Sequence, residues 1–362
     1  MEIKKILIYA VEREASDLHF SAKLPPYIRI NGSLVSTELE PLSPGECKDI
    51  AYSMLSPLQI KNFEEKKELD FSYGIKDLGR FRVNLSYQRG SVSIAIRPIK
   101  REIPTFSELG LPEEVMVDFT HRPHGLVLIC GPTGSGKSTT LAAMIDYINE
   151  ERACHIVSIE DPIEYLHQHK KALVEQRELG VDTFSFGEAS KRVLRQDPDV
   201  VLIGEMRDLE TIEWALRIAE TGHLVLSTLH TGEVIQALGR LIDVFPSSEQ
   251  KEIATQLSLT LVGIFVQQLL PRMDREGRVL ATEVMVTTPA IRNIIREGEF
   301  AQIYSHLQIG SNLGMHTINA SLAELCRRGE ISEEIALSKV TDIKEFKRLI
   351  KEKNLRWDGS LT

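Results

Sequence analysis

The sequence predicts an α/β protein in two parts, a small α+β domain followed by a larger domain built on a mostly parallel sheet. Three observations predict it. Two alternating runs, Phe81 to Tyr87 and Val92 to Ile96, flank Gln88-Arg89-Gly90-Ser91, which is the pattern of an antiparallel hairpin with one buried face. From Gly125 onward, short apolar runs alternate with amphipathic helical stretches, the pattern of a parallel sheet covered on both faces. Between the first of those apolar runs and the first of those helices lies a glycine-rich stretch, Gly131 to Thr139. The 362 residues match two domains at roughly 150 residues each. The boundaries expected are 1–97 for the first domain, 98–113 for a linker rich in Pro and Gly, and 114–362 for the second.

In chain order, a helical stretch opens the protein, and Tyr27 to Val35 read as a hairpin turning at Asn31-Gly32, a pair suited to a type I′ turn. Two helices follow. Ser43-Pro44-Gly45-Glu46 and Ser56-Pro57-Leu58-Gln59 each place Ser at the N-cap, Pro at N1 and a Glu or Gln at N3, so side chain and backbone satisfy each other's N–H groups. Phe81, Val83, Leu85 and Tyr87 then form one apolar face, and Val92, Ile94 and Ile96 repeat it after a turn. Pairing Tyr87 with Val92 sets Arg82 opposite Arg97. Like charges facing each other are unfavourable, so the pair is either freely solvated or shares an anion.

Gly125 to Cys130 is a buried-strand run leading directly into Gly131-Pro132-Thr133-Gly134-Ser135-Gly136-Lys137-Ser138-Thr139. Glycines let such a loop wrap a phosphate with its N–H groups, a lysine at the place of Lys137 reaches the β- and γ-phosphates, and the Ser138 hydroxyl is suited to Mg²⁺. Leu141, Met144, Ile145 and Ile148 give the next helix one apolar stripe. Its N-terminus points at the same anion. ATP and Mg²⁺ are therefore the expected ligands.

A phosphate loop needs an acid at the end of a neighbouring strand, and Val200 to Ile203 followed by Gly204-Glu205 supplies one, placed to polarise a water. A second acidic cluster, Glu160-Asp161-Pro162-Ile163-Glu164-Tyr165, follows the strand His155 to Ile159 and suits the metal and water region, with Glu164 the next choice of base after Glu205. His223 and His230 bracket a third strand and are read together as a γ-phosphate sensor. Late in the chain, Thr288, Pro289 and Gly298 mark the ends of a helix with Ile291, Ile294 and Ile295 on one stripe and Arg292 and Arg296 on an adjacent face.

Composition excludes several classes. Lys and Arg total 43 against 52 Asp and Glu, a formal charge of −9, which does not suit a nonspecific nucleic-acid binder. No apolar run reaches membrane-spanning length, and no secretory leader is expected at the start. Cys47, Cys130, Cys154 and Cys326 are far apart, with no Cys-x-x-Cys pair, and read as reduced thiols of a cytoplasmic protein.

The four stretches Gly131 to Thr139, Glu160 to Tyr165, Gly204-Glu205-Met206-Arg207-Asp208 and Gly222 to Thr231 resemble, in order and spacing, the Walker A motif, Asp box, atypical Walker B motif and His box of the secretion and pilus ATPase superfamily. Within it the chain is similar to the type IV pilus retraction ATPases of the PilT family. Ala15 to His19, Gly79 to Asn84 and Arg240 to Pro246 carry the likeness, as does Ala290-Ile291-Arg292-Asn293-Ile294-Ile295-Arg296-Glu297, which departs from the retraction signature only in having Ile294 for Leu. The resemblance implies a homohexamer of subunits, each with a PAS-like domain and a RecA-like ATPase domain. ATP would lie between the two, with Arg82 and Arg97 facing its phosphates and Arg240 contributing to the nucleotide site. It further implies that Glu160 and Asp161 join Ser138 near the metal, that Arg292 and Arg296 couple the ATPase to pilus retraction, and that the motor works at the inner face of the cytoplasmic membrane. Its partners would be an inner-membrane platform protein and an assembly ATPase or paralogue, without nucleic acid. The neighbouring reading is a pilus-extension or type II secretion ATPase, whose usual long N-terminal region and four-cysteine zinc site this sequence lacks. A RecA-like nucleic-acid motor is the reading from another class.

Overall fold

The computed structural model describes residues 3–30, 32–76, 78–99 and 102–351. The chain divides into two compact units, Met1–Glu102 with Glu164–Leu166, and Ile103–Ile163 with His167–Thr362.

The first unit follows the order α1 (Ile3–Glu12), β1 (Asp17–Phe20), β2 (Tyr27–Ile30), β3 (Ser33–Ser36), α2 (Pro44–Ser53), α3 (Pro57–Lys66), β4 (Glu68–Ile75), β5 (Gly79–Gln88) and β6 (Ser91–Pro98). Both capping boxes form, at Ser43 with Glu46 and at Ser56 with Gln59. All strand pairs are antiparallel, in the order β3-β2-β1-β6-β5-β4. β2 and β3 pair Ile30 with Ser33. Of the turn residues expected between them, Asn31 lies outside the described residues, while Gly32 has the positive φ of 82° that such a turn requires. Phe81, Val83 and Leu85 are buried against Ile94 and Ile96, and Arg82 pairs with Arg97 in register.

The second unit begins before the expected end of the linker. Lys100 and Arg101 lie outside the described residues, but Phe106 and Leu111 are buried in this unit's core, because their apolar surface gains more from packing than a linker would from freedom. Its elements are α4 (Glu113–His121), β7 (Gly125–Cys130), α5 (Lys137–Glu151), β8 (His155–Glu160), β9 (Leu173–Glu178), α6 (Phe186–Val193), β10 (Val200–Ile203), α7 (Leu209–Glu220), β11 (Leu224–Leu229), α8 (Val234–Asp243), α9 (Gln250–Thr260), β12 (Leu261–Pro271), β13 (Arg278–Val286), α10 (Pro289–Glu297), α11 (Ile303–Ile309), α12 (Ile318–Arg327), α13 (Glu333–Leu337) and α14 (Ile343–Lys351). The seven strands run in the order β13-β12-β7-β11-β10-β8-β9, and only β13 is antiparallel to its neighbour. β7 shows why the apolar runs are continuous. Leu126, Leu128 and Cys130 point into the core on one face of the sheet, and Val127 and Ile129 into the core on the other. A strand with helices on both sides has no polar face to expose.

Candidate active site

β7, β8, β10 and β11 are parallel, so their C-terminal ends form one edge, and each carries one of the four motifs there. This is the edge at which open α/β sheets bind ligands. At the end of β7, Gly131 takes φ 146° and a Cβ there would stand 2.3 Å from the Gln267 carbonyl, so only glycine permits the turn. Gly136 caps α5 at φ 93° with no side-chain hydrogen bond. The first N–H groups of α5 are thereby left to an anion, with the helix dipole behind them. Pro132, Thr133 and Gly134 are exposed, Ser135 and Lys137 are buried, and Ser138 and Thr139 lie half-buried in the first turn of α5.

The lysine is folded onto the loop. Lys137 Nζ donates to the carbonyls of Gly131 at 2.8 Å and Pro132 at 3.0 Å, and lies 3.5 Å from His230 Nδ1. Thr133 Oγ1 is also 3.5 Å from that nitrogen. The other face of the same imidazole meets the acid, with His230 Nε2 3.0 Å from Glu205 Oε1. One tautomer satisfies both sides, Nε2–H donating to Glu205 and Nδ1 accepting from Lys137. Arg207 Nε lies 2.6 Å from the same carboxylate oxygen. Burial pushes the Glu205 carboxyl up, but Arg207 and His230 outweigh it and hold the pKa below the ordinary value. The carboxylate therefore stays ionised at neutral pH.

The acid's position is fixed by the strands that carry it. Ser227 Oγ and Thr228 Oγ1 on β11 each donate at 2.7 Å, to the carbonyls of Ile203 and Gly204, and Asp208 caps α7 through Thr211. Glu160 ends β8, and its Oε1 accepts from Ser158 Oγ at 2.6 Å and from Gln176 Nε2 at 3.0 Å. Asp161 is exposed. Glu164 is exposed and groups with the first unit.

The two histidines lie at opposite ends of β11. His223 precedes β11, whose first residue pairs with Gly125 at the start of β7. With a six-residue strand between them, His223 stands about 20 Å from His230, at the opposite edge of the sheet. It closes the end of α7 instead, its Nδ1 3.1 Å from the Ile218 carbonyl and its own carbonyl accepting from Gly125 N. Arg240 lies exposed in the last turn of α8, about 10 Å along the helix from its cap at Glu233, with no ion-pair partner among the described residues.

In the first unit, Arg97 Nη2 lies 2.8 Å and Arg29 Nε 3.8 Å from Asp17. Arg82, opposite Arg97, has no ion-pair partner among the described residues. Asp17 thus pairs with two of the three guanidinium groups along one row of the sheet, which leaves net positive charge. In the second unit, Thr288 caps α10 and Gly298 ends it at φ 77°. Ile291, Ile294 and Ile295 are buried. Arg296 is exposed, whereas Arg292 donates to the Leu259 carbonyl at the end of α9.

Two residues were not singled out by motif. Glu283 on β13 is 3% exposed and accepts from Val234 N at 2.7 Å and Ile318 N at 3.2 Å, the first residues of α8 and α12. Gln267 on β12 donates to the Ser135 carbonyl. A polar side chain within a mostly apolar strand run is the sequence signal of each, and Gln268 and Thr282 beside them show the same signal.

Among the described residues no three His, Cys, Asp or Glu converge as a metal site.

The family model for "Type II/IV secretion system protein" matches residues 1–335. The chain is 47% identical to the type IV pilus retractation ATPase PilT of Pseudomonas aeruginosa over 339 residues, 94% of this chain and 98% of that one. It is 42% identical to the type IV pilus ATPase PilU of the same organism over 351 residues, 97% and 92% of the two chains. The crystal structure of the pilus retraction motor PilT with bound ADP superposes with a TM-score of 0.90 at 47% identity, covering 96% of this chain and 99% of that one. The chain belongs to the type II/IV secretion system protein family, and within it to the PilT-type pilus ATPases.

Proposed function

We propose that this protein is the ATP-hydrolysing motor of type IV pilus retraction, working as a homohexamer on an inner-membrane platform protein at the cytoplasmic face of the membrane, beside an assembly ATPase or a paralogue. The observation that carries the enzymatic part is the continuous chain Lys137–His230–Glu205, which links the phosphate loop to an ionised carboxylate. The retraction part rests on near-full-length similarity to PilT.

In this reading the loop N–H groups and the α5 N-terminus bind the phosphates, and Lys137 exchanges its contacts with loop carbonyls for the β- and γ-phosphates. Ser138 directly, and Glu160 and Asp161 through waters, would hold Mg²⁺, which would supply positive charge for the transferred phosphoryl group. Glu205 orients the attacking water. The water oxygen bonds to the γ-phosphorus as the bond to the β–γ bridging oxygen breaks, leaving ADP and phosphate. His230 reports γ-phosphate occupancy between Lys137 and Glu205, and Arg82 and Arg97 add positive charge to the phosphates.

Deleting the gene and counting surface pili tests the reading. Excess pili without twitching is the expected result, and cells without pili would assign the protein to assembly instead.

A further inference from the structure

The phosphate loop is held in shape from a strand that carries no nucleotide motif. Gln267 is 1% exposed and follows Val266, which pairs with Cys130, so it lies beside the first residue of the loop. Its Nε2 donates to the Ser135 carbonyl at 2.6 Å. Its backbone carbonyl is 2.3 Å from the place of a Cβ at Gly131, and its Nε2 is 3.1 Å from the place of one at Gly136. One residue therefore meets the loop at both turning glycines and at the carbonyl between them. The amide has one workable orientation, because the flipped form would set two oxygens against each other. Among the described residues, neither Gln267 Oε1 nor Ser135 Oγ, both buried, has a hydrogen-bond partner. An apolar residue would avoid that cost, so packing alone does not explain a glutamine here.

We propose that Gln267 is a positioning residue for the phosphate loop, holding Ser135 and Gly136 so that the loop N–H groups and Lys137 are pre-arranged for the polyphosphate of a nucleotide. The proposal rests on the reading of this loop as the nucleotide site. Gln267 touches no reacting atom, and Glu205 and His230 are fixed by β10 and β11 instead. Its removal therefore weakens binding more than chemistry, because a loop that must be ordered on binding loses affinity.

The test uses the full-length protein, titrated with a fluorescent ADP analogue and assayed for ATP hydrolysis, with Gln267→Met, Gln267→Glu and Lys137→Ala. Gln267→Met keeps the volume and removes the donor; affinity should fall and KM rise about tenfold, with kcat within about twofold, as for a loop that must be ordered when nucleotide binds. Gln267→Glu keeps the shape but faces the Ser135 carbonyl with an acceptor, and should lose at least as much affinity. It carries the test should Gln267→Met not fold. The nucleotide-free thermal midpoint of Gln267→Met should stay near that of the native protein. Native affinity in both variants would overturn the proposal, as would a fall in kcat at constant KM or a loss of affinity matched by a lowered nucleotide-free midpoint. Lys137→Ala binding ADP as tightly as the native protein would overturn the nucleotide-site reading itself, whereas native affinity in the Gln267 variants alone leaves that reading standing.

Discussion

His230 and Glu205 stand on adjacent parallel strands and meet at 3.0 Å, with Lys137 on the far side of the same imidazole. The carboxylate proposed to orient water is thus one ring away from the lysine proposed to bind phosphate. Glu205→Gln should keep nucleotide affinity and lower the turnover of ATP by about a hundredfold or more, the usual size of a lost general base. Single-turnover phosphate release checks this, and near-native turnover would move the water-orienting role to Glu164.

His230 and His223 should separate sharply. His230→Ala removes the link between Lys137 and Glu205, and should slow hydrolysis by about tenfold or more on the scale of one lost catalytic hydrogen bond. His223→Ala frees only contacts at the end of α7, and should show as a small loss of thermal stability with turnover little changed. Equal losses of turnover from the two substitutions would contradict this placement.

Arg82 and Arg97 exceed the one carboxylate beside them. Replacing both with alanine should leave the folded first unit intact, since an exposed ion pair contributes about 0–1 kcal/mol. ATP hydrolysis should fall by about 10³-fold, as for other arginines that neutralise a transferred phosphoryl group. Circular dichroism with a steady-state assay distinguishes the two effects, and full activity would assign these arginines to the solvated surface.

The two arginines of α10 should differ. Arg292→Ala releases the Leu259 carbonyl at the end of α9 and should cost about 1 kcal/mol of stability. Arg296→Ala touches nothing that holds the fold, and should leave ATP turnover intact while abolishing twitching. Loss of turnover with Arg296→Ala would place this helix in the catalytic scaffold.

Glu283 makes stability depend on pH in an unusual direction. Burial pushes its carboxyl from 4.5 up to about 7 despite two backbone N–H donors. Between those values the folded protein keeps a proton that the unfolded chain has lost, so this contribution is full below pH 4.5 and fades as pH rises through 7. Urea unfolding of Glu283→Gln against the native protein should show a difference between pH 5 and pH 8 of at most about 3 kcal/mol. An identical pH dependence in the two proteins would show that Glu283 is not the group responsible.

Much of this site was legible in the sequence because its signals are local. The Ser43 and Ser56 capping boxes, the glycine loop and the ends of α10 depend on neighbours a few residues away, and the Arg82–Arg97 register follows from one short turn between adjacent strands. The placement of His223 was also within reach, since ligands gather at the C-terminal ends of parallel strands and His223 precedes its strand. Gln267, Glu283 and the Arg292–Leu259 bond were not legible. Each joins elements distant in sequence, and no short pattern encodes which carbonyl or N–H a buried side chain will meet. β9, with Glu175, Gln176 and Arg177 in its middle, shows no apolar run, because it pairs only with β8 at the sheet edge.

Since the same two oxygens of Glu283 hold the first turns of α8 and α12, neither helix can slide against the other without giving up a buried hydrogen bond. α8 begins just after His230, and α12 opens the C-terminal helices. A displacement of the first turn of α8 would therefore be passed to that of α12 through a single carboxyl group.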